Sequence, residues 1–232
     1  MDRYITVHCD SRFLRLDRVN GDNIIITGKL SVLNCSHNRI KSLIIDCDLE
    51  ELYCAHNELE ELDLPDTLKT LDCSHNHLAE LDLPENTKYV NCSYNRIHRL
   101  HMNDQLRTLN CSFNLIECFT APPLLRFLDC SYCWIVHIHL CGSMKILDCK
   151  NNEIRKIKFP SSLREANCSE NKIRKLKLNK KLRSLVCRKN KITRIKTNSK
   201  LQILDCSRNR IEDLTLNARL RILDCTNNRI AY

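Results

Sequence analysis

Leu68-Lys69-Thr70-Leu71-Asp72-Cys73-Ser74-His75-Asn76-His77-Leu78-Ala79-Glu80-Leu81-Asp82-Leu83 is one copy of a pattern that returns every nineteen residues through most of the chain. Its cysteine recurs as Cys35, Cys54, Cys73, Cys92, Cys111, Cys130, Cys149, Cys168, Cys187, Cys206 and Cys225, with no insertion between them. In most copies aliphatic side chains stand five and two residues before the cysteine, as Leu30 and Leu33 do before Cys35. Asparagine stands three residues after it, from Asn38 to Asn228, and only Cys133 interrupts that row. A fixed period held this long means one structural unit stacked eleven times.

Within the copy, Leu71 and Cys73 alternate with period two, which reads as a short strand with one buried face. Leu81 and Leu83 alternate likewise on the way back. Nineteen residues must run out and return, so the return leg is expected to be extended or a single helical turn. The full pattern, L-x-x-L-x-C-x-x-N-x-I/L-x-x-I/L-x-L, resembles the leucine-rich-repeat family in a short variant with Cys at a core Leu position. The resemblance covers residues 30–230. It implies a right-handed parallel solenoid, a horseshoe or arc, mostly β, with a concave sheet, extended or 3-10 convex segments and little α-helix. It also implies an asparagine ladder, in which the buried amide bonds the backbone of neighbouring turns. That fits the physics, since an inward polar group left unpaired costs ~1–3 kcal/mol. The family tolerates Cys in the ladder row, where Cys133 stands, although a thiol is a poorer partner.

The register reaches back into the N-terminus: Leu14 and Leu16 lie nineteen residues before Leu33 and Cys35, and Ile5 and Val7 nineteen before Ile24 and Ile26. Residues 1–29 therefore read as degenerate turns capping the first core layer. Residues 30–232 read as eleven repeats in a single continuous domain without a C-terminal cap. Leu220, Leu223, Cys225 and Ile230 are then expected to be partly uncovered. Either Arg221, Arg229 and Tyr232 shield them, or that end is a homodimer contact.

Three glycines exclude a phosphate-cradling glycine loop, and no apolar run suggests a membrane span or a secretory signal. Sixteen cysteines would suit a disulfide scaffold, but the periodic thiols all face inward and behave as small apolar residues. A thiol-rich core fits a reducing intracellular compartment, cytoplasmic or else nuclear. The acceptor-like triplets at Asn34, Asn91, Asn110 and Asn167 read as accidents of the repeat.

Function has to reside in the positions the repeat leaves free. The residue before the ladder asparagine runs His37, His56, His75, Tyr94, Phe113, Tyr132 and then carries no ring. Tyr53, Tyr89, Phe127 and Trp134 fall nearby in sequence register, so the rings collect in repeats two to six. Such a stripe anchors protein contacts, or else the rings stack on one another and stabilise the sheet. A second stripe between the inward Leu and Cys is nearly all Asp or Asn, from Asn34 to Asp224. It reads as one half of a balanced face, with Lys69, Lys88, Arg107 and their successors as the other.

Charge is uneven along the chain. Residues 49–86 hold eleven acids against one lysine, a net of −10, and residues 144–200 hold nineteen Lys or Arg against four acids, a net of +15. Arg155, Lys156, Lys158, Arg174, Lys175, Lys177, Arg188, Lys189, Arg194 and Lys196 form a basic belt suited to nucleic acid or another polyanion. Phe159 is inward by register, so base stacking has no support there. His37, His56 and His75, with Glu51 or Asp72 near, and Cys118 beside His137 are the candidate zinc positions, but parallel rings ~4.8 Å apart would have to tilt together. No nucleophile has an evident base partner, and no cofactor is expected. The reading is a non-catalytic binding scaffold whose partner is another protein, met through the ring-bearing repeats; the polyanion belt is the rival.

Overall fold

The computed structural model describes residues 4–19 and 21–230. Every secondary-structure element among them is a strand; most return legs are extended, the others hold no regular element, and the helical-turn alternative does not occur among the described residues. The chain forms two compact units, Met1–Leu115 and Ile116–Tyr232, each a parallel β-solenoid.

The main sheet of the first unit joins Phe13–Arg15, Val32–Asn34, Glu51–Tyr53, Thr70–Asp72, Tyr89–Asn91 and Thr108–Asn110. Leu52 faces Leu71 and Tyr53 faces Asp72, so strand register equals the sequence period. The same step pairs Ile5 with Ile24 and Val7 with Ile26 at the N-terminus, where Tyr4–His8, Asn23–Thr27 and Ser42–Asp46 form a smaller sheet. The second unit repeats the plan with Phe127–Asp129, Ile146–Asp148, Glu165–Asn167, Ser184–Val186, Ile203–Asp205 and Ile222–Asp224.

Each turn buries the same positions. In the quoted copy Leu68, Cys73 and Leu78 are fully buried and Leu71 and Leu81 nearly so. A fully buried Leu contributes ~1.5–3 kcal/mol, so each added turn seals the apolar face of the one before it. The last described turn departs from this. Leu223 is 40% exposed, whereas Leu204 one turn earlier is 0%. Tyr232, expected to shield this end, lies outside the described residues.

The asparagine ladder has a two-way geometry. Asn76 Nδ2 donates to the Cys54 carbonyl of the preceding turn at 3.0 Å and to the Cys73 carbonyl of its own turn at 3.0 Å. Its Oδ1 accepts from the Leu59 amide at 3.0 Å. Asn57, Asn95, Asn114, Asn152, Asn171, Asn190, Asn209 and Asn228 bond the paired cysteine carbonyls in the same way. At the interruption, the Cys133 thiol lies 3.7 Å from the Ser131 carbonyl.

The residue before the ladder is left-handed in every turn, with φ between 52° and 59° from His37 to Asn227, and Arg18 continues the row at 53°. This conformation costs an L-residue roughly 1–2 kcal/mol and favours Gly, Asn, Asp or His. Backbone bonds between turns hold it, as from His75 N to Ser93 O at 2.9 Å and from Tyr94 N to Ser112 O at 3.0 Å. It recurs at Glu170, Lys189 and Arg208, so it belongs to the repeat and marks no special site.

Candidate functional site

In the first unit the left-handed row places five rings in one column. Centroids are 4.4 Å apart from His37 to His56, 4.1 Å to His75, 4.3 Å to Tyr94 and 4.2 Å to Phe113. Their planes lie within 10–14° of parallel. The rings therefore stack, each contact contributing ~0.5–1.5 kcal/mol, while their outer edges stay open to solvent. Tyr94 is 44% exposed and Phe113 36%. Stacking also decides against zinc at the histidines, because the rings lie face to face instead of converging; no group of three metal-ligating side chains occurs among the described residues. Cys118 and His137 are register partners on neighbouring strands, a pair only.

Burial, then the neighbouring His75 and His37, holds the His56 pKa below the usual imidazole range. A depressed histidine pKa leaves its contribution to stability intact above the unfolded value near 6.5. That contribution is lost as pH falls through the folded value, because the unfolded chain takes up the proton first. The denaturant midpoint of the wild type is thus expected to fall between pH 7.5 and pH 5, and His56→Phe to fall less. Parallel pH profiles for the two proteins would show that the stack does not titrate with folding.

Other predicted ring positions behave differently. Tyr89 stands exposed on its strand, whereas Tyr53 is half-buried and its hydroxyl donates to Glu51 Oε2 at 2.8 Å. In the second unit Phe127 is exposed, and Tyr132 lies under Lys150, whose Nζ is 5.0 Å from the ring centroid and 2.7 Å from the hydroxyl. Trp134, the most exposed large apolar side chain among the described residues at 61%, falls one residue past the ladder, in the row that holds Glu153 and Lys172 later. It therefore belongs to the return side and leaves the ring row.

The Asp/Asn stripe corrects the balanced-face expectation. Asp72 Oδ1 accepts from the Ser74 amide at 3.0 Å and the Ser74 hydroxyl at 2.7 Å. Asp129 and Asp205 engage Ser131 and Ser207 in the same way. These are Asx turns that end most strands of the main sheets and lead into the left-handed residue. Within the basic row, Lys69 pairs outside the stripe, its Nζ with Glu50 Oε1 at 2.6 Å. The signal was present in the sequence as D/N-C-S/T, a turn-former two residues before a hydroxyl.

The basic belt splits. Arg188 and Lys189 share Glu170 at 3.5 Å each, and Arg194 reaches Asp213 at 2.9 Å, so Arg194 is neutralised locally and the other two only in part. Arg155, Lys156, Arg174 and Lys175 instead share a hollow with Lys172 and Lys191. Lys177 and Lys196 line a neighbouring hollow of about 740 Å³ that Arg174 and Lys175 also border and that contains Glu212 and Asp213. Its counterpart in the first unit, about 850 Å³, is lined by Glu60, Glu61, Asp63, Asp66, Glu80 and Asp82.

YopM from Yersinia enterocolitica is similar in structure, with a TM-score of 0.65 and 23% identity over 90% of this chain and 60% of that one. YopM from Yersinia pestis, a leucine-rich effector protein, gives 0.72 and 24% over 78% and 56%. The functional domain of InlJ from Listeria monocytogenes, which includes a cysteine ladder, gives 0.62 and 26% over 88% and 59%. The fold is that of the leucine-rich repeats. This leucine-rich-repeat chain spans less than two thirds of each of these three neighbours. No family model matches its sequence, and no curated protein does. Among the described residues, no helix of this leucine-rich-repeat chain is long and apolar enough to cross a membrane.

Proposed function

We propose that this chain is a non-catalytic scaffold that holds another protein against the sheet face of its first unit. The observation that carries the reading is the ring column. Five stacked rings present a rigid ladder of edges, with Tyr89 exposed on a strand of the same sheet. Rings already fixed by stacking lose little rotamer freedom on binding, which favours them as anchors. Asp72, whose carboxylate acts on His56, and Glu51 on the sheet favour a partner with basic residues beside its apolar contact. Sixteen free thiols suit a reducing, intracellular setting.

The test is capture of partners by the purified protein, quantified for the wild type and for Tyr89→Ala/Tyr94→Ala/Phe113→Ala. The triple variant is expected to retain less than about a tenth of the partner, two or more anchors each contributing over ~1 kcal/mol. Undiminished capture by a folded variant would refute the ring column as the contact.

A further inference from the structure

The repeat has a habit of neutralising its own charges across one turn. Lys41 pairs with Asp22 at 2.9 Å, Lys69 with Glu50 at 2.6 Å, Arg99 with Glu80 at 3.1 Å and Arg194 with Asp213 at 2.9 Å, each nineteen residues apart. On the return side of the second unit this pairing fails over several neighbouring positions. There the nineteen-residue step sets Arg174 beside Arg155, Lys175 beside Lys156 and Lys191 beside Lys172. Six cations and no carboxylate line a single hollow of about 640 Å³. Lys172 alone has an anionic partner, Glu153; among the described residues the other five make no ion pair.

We infer that this hollow is a binding site for a compact ligand carrying several phosphates on one small scaffold, a role beyond the protein contact proposed for the first unit. Three cation rows cross two to three turns spaced by roughly 4.8 Å, so the positive charge forms a patch and not a line. An extended acidic peptide presents its charges on one line, alternate residues roughly 6.5–7 Å apart, and would engage a single row. A nucleic-acid duplex needs a long strip of phosphate contacts, but Arg194 is already paired with Asp213, and Arg188 and Lys189 share Glu170. No aromatic side chain lines the hollow, so bases would find nothing to stack on. Two arginines supply planar forks for bidentate phosphate contacts, and the lysines supply point charges between them. Clustered phosphates fit this lining; a single carboxylate or sulfate would leave most of it unanswered.

Isothermal titration of the full chain with inositol hexakisphosphate, inorganic tripolyphosphate and a short DNA duplex, at about 0.15 M salt, tests the site. One equivalent of inositol hexakisphosphate is expected to bind, ahead of the duplex. Flotation with phosphatidylcholine vesicles containing phosphatidylinositol bisphosphate separates the sources. Binding to vesicles marks a lipid headgroup, and binding to the soluble probes alone marks a free oligophosphate. Arg155→Glu/Arg174→Glu/Lys175→Glu should weaken binding by about 100-fold or more, since charge-assisted contacts contribute roughly tenfold each. Lys180→Glu/Lys181→Glu/Arg183→Glu changes the net charge equally outside the hollow and should cost less than about tenfold. Should the first variant misfold, Arg174→Gln/Lys175→Gln reads the same contacts. Equal losses in the two charge-reversed variants, tighter binding of the duplex, or no binding of any probe would each overturn the assignment.

Discussion

Asn76→Ala is expected to destabilise the protein by about 3–4 kcal/mol, and Asn76→Asp by more. The alanine variant deletes the Nδ2 bonds to the Cys54 and Cys73 carbonyls and strips the Leu59 amide of its acceptor. The carbonyls keep a second partner each, Asn57 on Cys54 and Asn95 on Cys73. The amide of buried Leu59 loses its side-chain acceptor, at ~1–3 kcal/mol, and the two lost bonds add ~0.5–1.5 kcal/mol apiece. Aspartate restores an acceptor for Leu59 but sets a second oxygen against two carbonyl oxygens, inside a site where Asn76 is 4% exposed. At ~2–4 °C per kcal/mol for a chain of this size, the alanine variant should melt roughly 6–15 °C lower. Equal stability of the two variants, by denaturant titration at pH 7, would mean that the ladder amide does not carry the donor role seen here.

How much of this was legible in the sequence follows from the range of the forces involved. The solenoid was legible because the period is set by burial: a residue two turns away obeys the same inward rule, so Leu52, Leu71 and Val90 announce one face. Register was legible too, since no insertion shifts it, and even Ile5 could be matched to Ile24. The surface was harder. Whether His56 and His75 stack or splay depends on a backbone angle, and the left-handed residue is hidden beneath side chains as unlike as Tyr94 and Lys189. Its only trace is the His and Asn share of that row. The Asx turns were read as a charged face because Asp is usually counted by charge, whereas Asp72 acts through a local oxygen two residues from Ser74. The basic belt was legible as composition, but its division into paired and unpaired cations depends on which carboxylate lies one turn away. Glu170, shared by Arg188 and Lys189, and Asp213, beside Arg194, lie against three of the ten.

The buried thiols make the second large prediction. Burial raises the pKa of Cys35, Cys168 and Cys206 from 9.0 to about 12, and pushes Cys54, Cys73, Cys149 and Cys187 well above their ordinary value. Only the thiolate reacts with alkylating agents, so a rise from 9.0 to about 12 lowers the reactive fraction at pH 8 about a thousandfold. Zero exposure of Cys35, Cys54 and Cys73 adds a steric barrier. In a brief iodoacetamide pulse on the native protein, exposed Cys118 should be modified first. Half-buried Cys47 should lag behind it, because burial and then the flanking Asp46 and Asp48 carboxylates raise its pKa. The column from Cys35 to Cys206 should become reactive only in denaturant. Cys225 is the internal control: it occupies the same register but is only half-buried, so it should react in the native state while Cys206 does not. Neighbouring thiols also oppose one another's ionisation, as Cys35 and Cys73 do at Cys54, so the column resists becoming thiolate as a unit. Peptide mapping that finds Cys73 alkylated as fast as Cys118 in the folded protein would contradict the packing. So would disulfide-linked column peptides in the folded protein, for the turns then could not carry their sulfurs as apolar fill, and the ring column built on that packing would lose its support.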